Sequence, residues 1–209
     1  MKKSILILLS VSLIFMGCAN QRTMVGAKFG VNLADIGGDK ADSFDGKTDF
    51  HGGLVGNFGI CDNWTIEPGL IYSRQGSDYS DSEYSGSYDL DYLNIPVIAQ
   101  YEVADNFTLE AGPQFGILLS AKDEFSIEGE SFEEDVKDNT KSMDFGLNLG
   151  AGYMITDNIK LSASYNLGLV NLADGTELDD IGVSWKNNVI QVSLAAFLKI
   201  TPIKGESED

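Results

Sequence analysis

Along most of the chain, apolar and polar side chains alternate one for one. The stretch from Asn106 to Ala121 shows it best. Phe107, Leu109, Ala111, Pro113, Phe115, Ile117 and Leu119 hold the odd positions. The even ones are Thr108, Glu110, Gly112, Gln114, Gly116, Leu118 and Ser120, polar or small with one exception. A period of two places such sets on opposite faces of an extended strand. The same rhythm runs through Leu93–Val103, Trp64–Gln75, Asp144–Tyr153 and Ile159–Leu169, and more weakly through Thr23–Leu33, Phe50–Ile60 and Asn188–Ile200. These segments predict eight strands.

The connections alternate too. Cys61-Asp62-Asn63, Ala104-Asp105-Asn106 and Thr156-Asp157-Asn158 are tight, and Asp-Asn suits a turn because both residues tolerate left-handed backbone. They recur at spacings of 43 and 52 residues, each followed by an apolar–polar–apolar triplet. The other four connections, 36–49, 77–87, 122–141 and 173–187, are long and hold 19 Asp+Glu against 6 Lys+Arg. They therefore carry most of the chain's net charge of −18. Short turns at one end and long loops at the other predict an all-β, eight-stranded, antiparallel up-and-down transmembrane β-barrel. A helical membrane protein is not predicted, because no run of about 20 apolar residues follows the N-terminus.

A soluble barrel would also alternate, so the composition of the minor faces decides. They carry Gly, Ser, Thr, Asn and Gln with few ions: Lys28, Glu67, Glu102, Glu110, Asp144, Lys160 and Lys199. Sparse charge among small side chains suits a narrow lumen that must be filled. Mixed signs predict an internal charge network that plugs the barrel rather than conducting. Trp64, Phe107, Tyr101 and Tyr153 fall near the tight turns, and Tyr72, Tyr92 and Tyr165 near the opposite strand ends, as two interfacial girdles would.

The N-terminus has a basic start, an apolar core from Ile5 to Met16 and small residues after it, the pattern of a secretory signal. Two processing routes fit. Gly17 and Ala19 suit ordinary cleavage before Asn20, while Met16-Gly17-Cys18 suits a lipobox that would make Cys18 a lipid-bearing first residue. The expected organisation is a signal at 1–19, a barrel at 20–201 and an acidic tail at 202–209. Either route leaves Cys61 without a disulfide partner.

With the strands placed, the chain resembles the PorT-type outer-membrane β-barrel domain, akin to small OmpA/OmpX-like barrels. The likeness rests on Gly26–Ala34, Ile66–Gly76, Leu90–Val97, Leu109–Ala121, Phe145–Tyr153 and Tyr165–Asn171. It implies the outer membrane of a Gram-negative cell, outer-membrane lipid as surroundings and no catalytic activity. The tail after the last strand departs from barrels that end on an aromatic assembly signal, leaving Phe197 as the substitute.

Candidate chemistry is thin. The only histidine, His51, is expected at the loop-side rim with Ser43 near it in sequence, and it lacks the partners a general base needs. No zinc-type Cys/His cluster occurs. The acidic runs 39–49 and 174–180 lack the ligand order of an EF-hand and are expected to be solvated. The acidic balance argues against nucleic acid. No enzyme and no cofactor are predicted. The expected role is a structural or surface-interaction barrel without an open pore, its acidic loops meeting envelope or surface proteins. The alternatives are an accessory factor in outer-membrane secretion or assembly, implied by the PorT-type resemblance, and a soluble lipocalin-like carrier.

Overall fold

The computed structural model describes residues 23–38, 44–80, 84–127, 130–172 and 185–200. They form nine strands: β1 (Thr23–Gly38), β2 (Phe44–Cys61), β3 (Trp64–Ser80), β4 (Tyr84–Ala104), β5 (Phe107–Ile127), β6 (Glu130–Asp135), β7 (Met143–Thr156), β8 (Ile159–Gly168) and β9 (Trp185–Lys199). All neighbours are antiparallel, in the order β4-β3-β2-β1-β9-β8-β7-β5-β6, and β4 pairs with β5 as well as with β3.

Strand pairing continues into the acidic connections, and the count exceeds the predicted eight because one of them, 122–141, contains the additional strand β6. Most of 77–87 is the end of β3 and the start of β4, and part of 122–141 is the hairpin of β5 with β6. Aromatic contacts stabilise these extensions: Phe125 stacks on Phe132 with centroids 5.5 Å apart, and Tyr79 lies 5.6 Å from Tyr88. Such cross-strand contacts hold a sheet together even where every second residue is charged.

The three tight turns share one device. The backbone carbonyls of Asn63, Asn106 and Asn158 each accept a hydrogen bond from a strand beyond their own hairpin, at Glu102, Met154 and Phe197, over 2.8–2.9 Å. Asn158 Nδ2 adds a bond to the Phe197 carbonyl at 2.8 Å. Each turn is thus pinned to the next hairpin. Asn106 has φ 64°, the left-handed backbone that Asn accepts at low cost.

Sidedness is the reverse of a soluble fold. Leu54 and Phe29 are 67% and 56% exposed, and Phe115, Leu109 and Leu149 stand out with them. The buried face carries Glu67, Lys160, Asn32, His51 and Asn187 instead. Burial follows the predicted alternation, and it overrides one girdle placement drawn from strand position. Tyr92, expected in a girdle, is 1% exposed and packs with Ile36, Leu90, Leu118, Ala121 and Leu172. Tyr92 shares the inward parity of Asn94, Ile98 and Gln100 on β4; the register shift beside it, where Asp91 faces Ser120 but Tyr92 faces Leu118, makes Leu119 an extra residue of β5 and turns Ala121 inward. Leu118, the exception on the polar side of β5, is half of that buried pair. The cluster lies beside the long connections and seals that end of the buried face with apolar atoms, joined by Val136 and Trp185.

The turn geometry yields a test. Asn106→Gly should leave stability nearly unchanged, whereas Asn106→Val should lower the unfolding free energy by about 1–2 kcal/mol, the cost of a left-handed β-branched residue. Urea unfolding of the refolded protein measures both, and equal losses would contradict the turn assignment.

Candidate functional site

The alternation that puts leucine and phenylalanine outside puts Lys28 (β1), Glu67 (β3), Glu110 (β5) and Lys160 (β8) on the buried face. There they meet. Lys28 Nζ donates to Glu67 Oε1 at 2.6 Å, and Lys160 Nζ to Glu67 Oε2 at 2.5 Å. Lys160 also reaches Glu110 Oε1 at 2.9 Å. Gln100 Nε2 donates to Glu67 Oε2 at 2.8 Å, and Thr108 Oγ1 to Glu110 Oε1 at 3.3 Å. Two cations and two anions alternate along this chain, so its net charge is zero. Glu67 and Lys160 are 1% and 2% exposed, and neither charge is stable there without the other.

The other predicted members stand elsewhere. Asp144 is buried, but its Oδ1 accepts from the Phe145 backbone N–H at 2.8 Å, and no ion pair joins it to the four. Glu102 and Lys199 do not face the interior; both are exposed at strand ends. Glu102 lies near the end of β4, just before its pairing irregularity, and accepts from the Asn106 N–H at 3.2 Å. Lys199 closes β9 and lies 3.7 Å from Asp157 of the adjoining turn. Cys18 lies outside the described residues, as do the signal segment, the tail at 202–209, Ser43 and the acidic run 174–180.

His51 is a correction. Sequence placed it at a rim, but β2 begins seven residues earlier, at Phe44, so His51 is well inside the strand and 3% exposed. Its Nδ1 lies 2.8 Å from Asn32 Oδ1, which can only accept, so Nδ1 carries the proton. Nε2 then accepts from the Ser193 hydroxyl at 2.8 Å. Asn32 is the hub of this second network. Its Nδ2 donates to the Arg74 carbonyl at 2.6 Å and Ser73 Oγ at 2.9 Å, and its Oδ1 also accepts from Gln191. Gln75 and Asn187 extend the network towards the loop end. Four strands are tied by uncharged groups, of which the sequence singles out only His51. The signal was present in the i, i+4 placement of Lys28 and Asn32 on one face of β1. Gly30 between them allows the His51 ring to approach, since a Cβ there would strike that ring and the Val192 carbonyl.

A third group lies at the loop end. Arg74 approaches Asp49, Asp89 and Asp91 at 3.3–3.6 Å, and Lys47 pairs with Asp89 and donates to Ser87. Lys122 bonds Glu133 across the β5–β6 hairpin at 2.8 Å, which holds its ammonium above the usual lysine range. Among the described residues no three His, Cys, Asp or Glu side chains are placed to hold a metal. None of the three groups brings a nucleophile, a base and an open cleft together.

Residues 18–174 match the family described as outer membrane protein β-barrel domain. The match is to this broad family and does not single out the PorT type. No curated protein sequence matches. Among solved structures, the attachment invasion locus protein Ail of Yersinia pestis superposes with a TM-score of 0.50 at 12% identity, covering 84% of this chain and 98% of that one. Neisserial surface protein A gives 0.50 at 11% identity, with 85% and 99% covered. At such identities the likeness concerns the fold.

The charge chain predicts non-additive losses. Lys160→Met leaves Glu67 with one cation and Glu110 with none, and should cost about 3–5 kcal/mol of unfolding free energy. Adding Glu110→Gln restores neutrality around the intact Lys28–Glu67 pair, so the double variant should be more stable than Lys160→Met alone. Urea titration of the three proteins checks this, and summed losses would show that the four residues do not act as a unit.

Proposed function

The chain belongs to the outer membrane protein β-barrel domain family, and on that premise we propose that it works as a sealed scaffold in the outer membrane, offering its loop-bearing end to partners. In this reading β1–β5 and β7–β9 close into an eight-stranded transmembrane barrel, with β6 an outgrowth of β5. The pairing of β4 with both β3 and β5 supports closure.

The observation that carries the reading is the pairing of an exposed apolar band with a buried, mutually neutralised chain of Lys28, Glu67, Lys160 and Glu110. Exposed apolar surface of this extent is costly in water and expected against lipid. Trp64 and Tyr101, 4.9 Å apart beside the short turns, and Phe50 and Tyr72, 6.1 Å apart nearer the loops, suit the two interfaces. Eight strands enclose a space that side chains fill, and here Lys160, Glu67 and Glu110 cross it while the Tyr92–Leu118 cluster caps it. Ion passage has no route in such an interior. Function then belongs to the acidic connections and the β5–β6 hairpin, which would face the medium and contact envelope or surface proteins. Cys18, if lipid-modified, would add a second anchor on the short-turn side, beside the start of β1.

The test is direct. The refolded protein should migrate differently before and after boiling in detergent gels, and should give no discrete conductance steps in a planar bilayer. Unchanged migration with recovery in the soluble fraction would remove the transmembrane reading, and steady single-channel currents would remove the sealed one.

A further inference from the structure

Four buried amides, Asn94, Asn148, Asn166 and Asn187, each have one side-chain atom without a protein partner, and the first two share one cavity. Asn94 and Asn148 are 3% and 5% exposed, yet Asn94 Nδ2 and Asn148 Oδ1 make no hydrogen bond. One is a donor and the other an acceptor. The orientation of Asn148 is fixed, because its Nδ2 donates to Gln114 Oε1 at 3.0 Å. A buried amide left bare costs more than an ordinary hydrogen bond contributes. Both residues line one interior cavity of about 40 Å³, whose other polar lining includes Lys28, His51, Glu110 and Ser193.

Size and chemistry define the occupant. A water needs about 10–15 Å³ of such space, so the cavity admits about three. A sugar, a nucleotide or a lipid headgroup is too large. Lys28 and Glu110 offset one another, so no net charge selects an ion. The lining mixes donors with acceptors, which suits a molecule that does both. We propose that this cavity is a binding site for a resident cluster of about three water molecules, bridging Asn94 Nδ2 and Asn148 Oδ1 to the polar groups opposite. The cluster is then a part of the fold. It links amides of β4 and β7 to the imidazole and charge networks of β1, β2, β5 and β9. Tyr92 and Leu118 lie one inward position nearer the loops than Asn94 and its neighbour Gly116, and they block exchange in that direction. Towards the short turns the Glu67–Lys160–Glu110 ion pairs stand in the way, so slow exchange is expected of these waters. The inference uses the interior geometry alone and does not depend on which partners the loops meet.

The test uses the full chain, labelled with nitrogen-15 and refolded in detergent micelles. Water cross-peaks to the assigned carboxamide protons of Asn94 and Asn148 are expected, with the opposite NOE and ROE signs of long-lived bound water. Assigned carboxamides without water cross-peaks would overturn the proposal. A second measurement uses Asn94→Leu, with heat-modifiable migration showing that it has folded. If water bridges Asn94, this change should weaken the water signals at Asn148 and leave the urea midpoint equal or lower. A raised midpoint would mean that a bare amide had been removed from a dry cavity, and would refute the cluster.

Discussion

Glu67 is held where its carboxylate has no access to water, and both of its oxygens are taken by ammonium groups from other strands. That constraint organises the rest of the molecule. A carboxylate in such a place is tolerable only if cations are brought to it, and the cations come from β1 and β8. Lys160 in turn needs Glu110 from β5, because a single anion shared with Lys28 would leave the cluster positive. Strands far apart in sequence are thereby held at fixed register. The amide and imidazole network around Asn32 does the same without charge, for β1, β2, β3 and β9.

With the charged groups paired inside, the outer face is free to be apolar. This is the arrangement a lipid environment requires, since hydrocarbon offers no hydrogen bonds to backbone or side chain. The two ends are built differently. At the short-turn end, asparagine carbonyls stitch each hairpin to the next. At the loop end, strands outrun the apolar band and carry ion pairs around Arg74, Lys47 and Lys122. Gly76, at φ 134°, lies where β3 enters that region; a side chain there would collide with the Tyr88 carbonyl. Rigid turns below and charged extensions above leave the loop end as the surface open to variation.

Much of the fold was legible because period-two alternation is a direct imprint of two unlike environments. Phe107 to Leu119 declared its outward face, and Asp-Asn pairs declared the turns. Of the charged interior, Lys28, Glu67, Glu110 and Lys160 were legible from face alone. Glu102 and Lys199 were not separable from them, because parity says which face a residue is on and not how far along the strand the interior ends. Tyr92 is set in a girdle by its nearness to a strand end, although its parity with Asn94 and Ile98 points it inward. Ala121 is the residue that alternation alone places wrongly, because the one-residue bulge at Leu119 reverses parity beyond it and nothing in Ser120 or Leu119 announces it. His51 was assigned to a rim because the start of β2 was set at Phe50, six residues late. β6 was hidden by its four acids, which read as a solvated loop until Phe132 is seen against Phe125.

The central claim is that hydrocarbon lies against one face of each strand and a packed polar interior against the other. Nitroxide scanning of β5 in lipid vesicles, with Cys61 replaced by serine, measures this one residue at a time. Labels at 109, 111, 115 and 117 should be accessible to dissolved oxygen and shielded from a water-soluble nickel reagent, while labels at 110 and 114 should be shielded from both. High nickel accessibility at the odd positions, or no alternation between neighbours, would contradict the account.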